Sequence, residues 1–320
     1  MCRGGLHLRR LRVGTRKSQL ATTQTGDVVA ALKKERPDLD IETVEIVTRG
    51  DQILDVSLSK VGGKGLFVSE IEKALQEGVI DLAVHSAKDV PAILAQGLVI
   101  GAIPTREDAR DLLIVKHGQS LLELPEGARV GTSSLRRRAQ LLAIRPDLEI
   151  VSLRGNIDTR LRKLQDLDAI VLAAAGIRRM GWLTENRVST TGVAYEATPL
   201  TPFECVPAAG QGALAIECRE QDTEVRELLA ALHDREAARC VTAERAFLAE
   251  VGGSCQVPVG AYATPSFSRL NLTAMLADAS GNVVLRGALM GEDARELGRE
   301  LAARMLASGG DRLLSMVGEV

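Results

Sequence analysis

The sequence predicts an α/β protein: two similar lobes with mostly parallel sheets around a cleft, plus a small C-terminal α+β domain with an antiparallel sheet. Three observations predict it. Short apolar runs ending in glycine or polar turns alternate with segments of helical periodicity, as in strand–helix–strand units. A set of turn motifs recurs in one order: Arg129-Val-Gly-Thr132 echoes Arg12-Val-Gly-Thr15, and Pro146-Asp-Leu-Glu-Ile150 echoes Pro37-Asp-Leu-Asp-Ile41. Likewise Arg154-Gly-Asn156 echoes Arg49-Gly-Asp51, and Asp168-Ala-Ile-Val171 echoes Asp81-Leu-Ala-Val84. One match is chance-level, but four in order indicate a repeated lobe. Past about residue 223 the pattern changes, and the runs Leu270–Leu276 and Val283–Leu289 flank Ser280-Gly-Asn282 as a hairpin. The expected division is 8–104 with 205–222 for the first lobe, 105–204 for the second and 223–320 for the third domain.

Composition narrows the function. With 320 residues and 45% hydrophobic content the chain is globular and long enough for several domains. Aromatics at 2% leave no stacking platform for single-stranded nucleic acid. No apolar run approaches a membrane span, and Met1–Arg10 lacks the apolar core of a signal peptide, so the expected location is cytoplasmic. Five cysteines without Cys-x-x-Cys spacing, and four scattered histidines, argue against a disulfide framework and a metal site. Net charge is −2, yet residues 129–187 hold eleven Arg and one Lys against six acids, a surplus of six. Such a concentration suggests an anionic ligand, although each arginine taken singly fits a solvated basic face equally well.

Taken in order, Arg12–Thr15 reads as a strand, and Arg16-Lys-Ser-Gln-Leu-Ala21 opens a helix running to about Glu35. Unpaired N–H groups at that helix start, beside Arg16 and Ser18, suit an anion. Ile41–Thr48 has the β-branched enrichment of a strand, closed by Arg49-Gly-Asp51. Gly62-Gly-Lys-Gly65 lacks the spacing and the Ser/Thr of a phosphate loop and reads as a flap. Phe67, Ile71, Ala74 and Leu75 fall at helical spacing. Leu82–Val84 is a short buried strand, after which the chain turns polar and Pro91 stops regular structure. His85, Ser86, Lys88 and Asp89 thus gather near the carboxyl end of a strand, where open α/β sheets bind ligands.

In the second lobe Thr132-Ser-Ser134 caps a helix with Arg136, Arg137 and Arg138 in its first turn. Cations there oppose the helix dipole, and a bound carboxylate would reverse that penalty. Arg154 ends the next strand, Arg160 sits in a helix capped by Asn156 or Asp158, and Arg178 and Arg179 follow the strand Ile170–Ala173. Guanidinium forks at successive strand ends suit carboxylates. Residues 188–204 read as a return linker. Val206–Gly212 is a turn-rich loop leading into a strand, Ala213–Ile216, expected in the first lobe. A helix is expected over about Glu236–Glu250 and another over about Ala294–Ala307. Cys255 lies on the Gly-rich loop 252–258, which exposes a sulfur; the usual fate of a cysteine, a buried small hydrophobe, stands beside that reading.

These pieces together resemble the porphobilinogen deaminase family, also called hydroxymethylbilane synthases. The matching stretches are Arg16–Ala21, Val47-Thr-Arg-Gly-Asp51, Lys64-Gly-Leu-Phe67, Ala83-Val-His-Ser-Ala-Lys-Asp-Val-Pro91, Val130-Gly-Thr-Ser-Ser-Leu-Arg-Arg137, Ser152-Leu-Arg-Gly-Asn156 with Thr159-Arg160, Gly210-Gln-Gly212, Val241-Thr-Ala-Glu-Arg245 and Cys255-Gln-Val-Pro258. They run in family order over nearly the whole chain. Ser254 stands where a glycine is expected, and the last sixty residues carry no matching motif. The resemblance implies two lobes like those of periplasmic binding proteins and a dipyrromethane cofactor held through a thioether to Cys255. It implies a transferase that joins four porphobilinogen units head to tail, each losing ammonia, and releases hydroxymethylbilane for tetrapyrrole synthesis. Ser86, Lys88, Ser134, Arg136 and Arg137 would hold the cofactor. Arg16, Ser18, Arg154, Arg160 and Arg179 would hold substrate or the growing chain, with Phe67 packed over a pyrrole ring. Asp89 would be the catalytic carboxylate. The partner is then small-molecule porphobilinogen, with no nucleic acid, no membrane and no metal, and the chain a monomer. A non-enzymatic two-lobed anion receptor also explains the repeat and the arginines, but not Cys255 or the third domain. A phosphosugar transferase lacks the acidic metal cluster it would need.

Overall fold

In the computed structural model, which describes residues 10–52, 68–116, 120–190, 192–252, 257–278 and 280–315, β1 (Leu11–Thr15) buries Leu11 and Val13. The Ser18 side chain accepts the Ala21 N–H at 3.3 Å and caps α1 (Gln19–Glu35). α1 lays Val28 and Leu32 on the sheet. β2 (Ile41–Glu45) pairs in parallel with β1. The strand expected to Thr48 stops at Glu45 because its partner ends at Thr15, and Arg49–Gln52 is instead a helical turn. α2 (Ser69–Gln76) buries Ile71, Ala74 and Leu75, as its spacing requires. The flap expected at 62–65 lies outside the described residues.

β3 (Leu82–Ser86) extends two residues beyond the expected strand and runs into a 3₁₀ turn, Ala87–Asp89. β4 is Leu98–Ala102. β12 (Leu214–Arg219) returns from the second lobe and inserts antiparallel between β3 and β4, giving the order β2-β1-β3-β12-β4. β1 to β4 therefore share one direction and β12 opposes them.

The second sheet contains β5 (Asp111–Val115), β6 (Arg129–Gly131), β7 (Glu149–Val151), β8 (Ala169–Ala173), β9 (Leu183–Thr184), β10 (Arg187–Thr190) and β11 (Val193–Pro199), in the order β7-β6-β8-β5-β11-β10-β9. β5 and β10 run against the rest. Between them lie α3 (Leu135–Ile144), α4 (Ile157–Arg162) and α5 (Ala174–Arg179). The reading of 188–204 as a linker is overturned: β11 pairs with β5 and β10 pairs with β11. The signal was the alternation of buried Tyr195 and Ala197 with exposed Ala194, Glu196 and Thr198. Pro199 is tolerated because it is the strand's last residue.

α6 (Thr223–Ala230) follows the change in sequence pattern, yet it packs Val225, Leu228 and Leu229 into the first lobe's core. α7 (Arg235–Glu250) then opens an α+β unit with the antiparallel meander β13 (Val259–Ser266), β14 (Arg269–Ala277) and β15 (Val284–Gly291), and α8 (Ala294–Met305). Phe247 on α7 and Leu297 and Leu301 on α8 cover Ala261, Leu272 and Ala274 on the sheet. β13, with Gly260 and Pro265 diluting its pattern, is visible only in the structure.

One ion pair joins all three units. Arg106, on the segment between β4 and β5, places Nη1 2.6 Å and Nη2 3.0 Å from the Glu244 carboxylate of α7. Its Nε donates to Gln211 O at 2.9 Å, and its guanidinium lies 5.2 Å from the Tyr262 ring centroid. Glu244 also accepts the Gly210 and Ala263 N–H groups at 2.7 and 2.8 Å. Glu244→Ala strands a buried guanidinium and two backbone donors. The expected loss of unfolding free energy is about 3–5 kcal/mol, read from urea titration.

Candidate active site

The site is assembled from the end of β3 and the opposing helix starts of the second lobe. Ser86 Oγ lies 3.0 Å from Gln24 Nε2 on α1. His85 Nε2 lies 3.0 Å from Glu217 Oε2 on β12, both buried. Past the strand end Lys88 is half-buried and Asp89 exposed. The Ala87–Lys88 backbone is packed against Gly210, where a side-chain carbon would sit 3.0 Å from Ala87 C, and whose φ of +74° favours glycine. Loss of hydration pulls the Lys88 ammonium below its usual pKa; Asp89 and Asp111 pull it back up, while Arg137 and Arg136 push it further down. Lys88 thus senses the second lobe's arginines.

Across from it, Ser134 caps α3 by accepting the Arg137 N–H. Arg136 and Arg137 are 5% and 7% exposed. The expectation that they await an external carboxylate to satisfy the helix dipole needs correcting: the protein supplies one. Asp111, the first residue of β5, takes Arg136 Nη2 at 2.8 Å and Arg137 Nη2 at 2.7 Å on opposite oxygens. Arg136 Nη1 also donates to Val206 O at 2.6 Å, and Arg137 Nη1 to Val171 O at 2.9 Å. Gln211 Nε2 donates to Asp111 at 2.8 Å. Burial alone would raise the Asp111 pKa, but the two arginines outweigh it and hold the carboxyl well below the usual range. One carboxylate between two guanidiniums leaves a net positive charge.

Asn156 caps α4, accepting the Thr159 N–H at 2.9 Å, which settles the choice between the two cap candidates. Arg160 Nε donates to Gly155 O at 2.7 Å. Burial lowers the Arg160 pKa first, Arg137 and Arg154 lower it further, and Asp89 opposes them. Asp89 of one lobe and Arg160 of the other therefore share one electrostatic neighbourhood with Arg137 and Arg154. Arg154 lies three residues beyond β7, not at its end. Arg179 ends α5 and donates to Gly212 O of the return loop at 2.7 Å; burial lowers its pKa, while Glu107 and Asp27 act the other way. Arg16 is half-buried in the turn before α1. Cys255 and Phe67 lie outside the described residues.

Sequence reasoning missed Asp111, Gln211, Glu217, Glu244 and the structural role of Arg106. The available signal for Asp111 was an acid leading a fully buried run, Leu112–Val115. Among the described residues no group of His, Cys, Asp or Glu could hold a metal ion, and no helix is long and apolar enough to cross a membrane.

Fold and site define a two-lobed α/β protein in which half-buried cations from both lobes, Lys88 and Arg160, share a neighbourhood with one exposed carboxylate. The chain matches the family description "Porphobilinogen deaminase, dipyromethane cofactor binding domain" over residues 11–227 and "Porphobilinogen deaminase, C-terminal domain" over 238–307. It is 52% identical over 312 residues to a porphobilinogen deaminase of Lysinibacillus sphaericus, covering 97% of this chain and 98% of that one. It is 51% identical over 313 residues to that of Geobacillus kaustophilus, with the same coverage. The porphobilinogen deaminase of Listeria monocytogenes serotype 4b is 50% identical over 308 residues, 96% of this chain and 97% of that one. Among solved structures, the periplasmic aliphatic sulphonate binding protein SsuA of Escherichia coli superposes with TM-score 0.39 at 15% identity, covering 76% of this chain and 70% of that one. The chain belongs to the porphobilinogen deaminase family and is an enzyme of tetrapyrrole biosynthesis.

The described cysteines, Cys205, Cys218 and Cys240, are all buried. Burial pushes their thiol pKa values up to about 12, about 11 and about 11. In a Cys2→Ser/Cys255→Ser variant, Ellman's reagent at pH 8 is expected to find no reactive thiol until denaturant is added. Labelling of the native protein would contradict this burial.

Proposed function

We propose that Asp89 is the catalytic carboxylate of a hydroxymethylbilane synthase reaction in which four porphobilinogen molecules are joined on a dipyrromethane held through Cys255. The single observation that carries this is that Lys88 of one lobe and Arg160 of the other both feel Asp89 and Arg137. Burial and neighbouring arginines lower the pKa values of Lys88 and Arg160, and a ligand's carboxylates would offset that cost. Each porphobilinogen brings an acetate and a propionate, so the donor set fits the ligand's chemistry. When bound, the dipyrromethane supplies the pyrrole carbon at which the chain grows.

In this reading Lys88, Ser86, Ser134, Arg136 and Arg137 hold the cofactor's acid side arms. Asp111 uses only part of each guanidinium's five N–H groups and fixes the plane of the rest. Arg16, Ser18, Arg154, Arg160 and Arg179 hold substrate and the lengthening product. Ser18 spends an acceptor lone pair on the α1 cap, and its O–H still donates to a carboxylate. Phe67 covers a pyrrole ring. Asp89 faces the positive charge that develops as ammonia leaves porphobilinogen and again as the next pyrrole attacks, so its carboxylate lowers both barriers. It also accepts the proton released on coupling. One chain supplies every group, so the reading needs no second copy, and the protein acts as a cytoplasmic monomer.

Intact-mass measurement tests the tether: the purified chain is expected to be heavier than its sequence by a covalent dipyrrole, and Cys255→Ala to lose that increment. Asp89→Ala is expected to fold normally, by circular dichroism, and to lose about 10²–10³-fold in bilane formation. Near-normal turnover would remove Asp89 from the mechanism.

A further inference from the structure

The geometry points to Arg245 as the positioning residue that sets the Asp89 carboxylate from the third domain. This rests on the reading of Asp89 given above. Arg245 lies on α7, and its guanidinium grips three successive carbonyls just after Asp89. Nη1 donates to Val90 O at 3.0 Å, and Nη2 to Pro91 O at 2.6 Å and Ala92 O at 3.3 Å. Upstream, the turn is held by the Ala87 N–H to Ala213 O at 3.0 Å and by close packing against Gly210. Asp89 is exposed between these two anchors, with Ala87 and Val90 buried on either side. Its direction is therefore set by backbone, and one of the two backbone anchors comes from another domain.

Three features distinguish this from an ordinary loop contact. Arg245 is largely withdrawn from water, which costs free energy that only its acceptors return. Its charge is balanced from a distance by Glu217, whose Oε2 meets His85 while Oε1 has no hydrogen-bond partner among the described residues. A planar fork is the side chain that serves several carbonyls at once, which a lysine does not. The preceding residue, Glu244, is locked to Arg106, Gly210 and Ala263, so α7 cannot rotate to release the grip without breaking that network. Arg245 makes no contact that requires substrate; it acts through the turn.

The test is a kinetic cycle on cofactor-loaded enzyme, its loading checked by intact mass. Arg245→Met is expected to lower kcat roughly ten- to a hundredfold with little change in KM, the signature of a misplaced reacting group. Arg245→Lys is expected to recover part of that loss. Asp89→Glu, which shifts the carboxylate by one methylene, is expected to be impaired, and Asp89→Glu/Arg245→Met to be no worse than the poorer single variant, since both disturb one group. Unchanged kcat in folded Arg245→Met, a rise in KM alone, or losses that multiply in the double variant would each overturn the inference. Should Arg245→Met not fold, Arg245→Lys carries the test, and wild-type kcat there overturns it. Wild-type kcat in Asp89→Glu would sink the reading of Asp89 itself, whereas an impaired Asp89→Glu beside an unaffected Arg245→Met would sink only the role of Arg245.

Discussion

Asp111 is the charge on which the second lobe's cationic face depends. It is fully buried, and two guanidiniums, an amide and the Cys205 thiol converge on it. A buried carboxylate is tolerated only with such company, and removing either side of the pair would leave the other stranded, at a cost of about 3–5 kcal/mol. What Asp111 provides in exchange is rigidity. Arg136 and Arg137 are each held by the Asp111 carboxylate and a backbone carbonyl. It also draws β5, α3, β8 and the return segment to one point, through Val171 O, Val206 O and Gln211.

Lys88 and Arg160 bring positive charge from both lobes to the neighbourhood of Asp89. Lys88 and Arg160 lie on different lobes, and each is lowered by burial and by Arg137. Arrangements of this kind are locally unfavourable and persist where a ligand compensates them. Asp89 is the acid that both feel, and it is exposed where Asp111 is buried. Two carboxylates in one neighbourhood thus differ in setting: one is buried and organises the arginines, the other is exposed.

Much of this was legible in the residues. The repeated turn motifs anticipated two related sheets, and apolar residues 213–216 anticipated the strand that returns to the first lobe. Caps at Ser134 and Asn156 followed from short polar residues ahead of helical periodicity. Two things were hidden, for physical reasons. β10 and β11 carry the mixed composition of strands with one wet face, which resembles a linker until the alternation at Tyr195 and Ala197 is weighed. The buried ion pairs Asp111–Arg136, Asp111–Arg137 and Arg106–Glu244 join residues 25, 26 and 138 positions apart. Nothing local distinguishes an arginine that meets its own protein's acid from one that waits for a ligand.

The insertion of β12 between β3 and β4 has a consequence for how the molecule is made. The amino-terminal sheet emerges from the ribosome with a gap that only residues 214–219 can fill. At the usual elongation speed of about 5–20 residues per second, that vacancy persists for roughly 5–20 s while the other lobe is synthesised. During the wait β3 and β4 expose backbone donors and acceptors to any passing strand, the hazard that sheet edges always present. The nascent chain is therefore most open to misassociation, and most in need of chaperone cover, midway through translation rather than at its end.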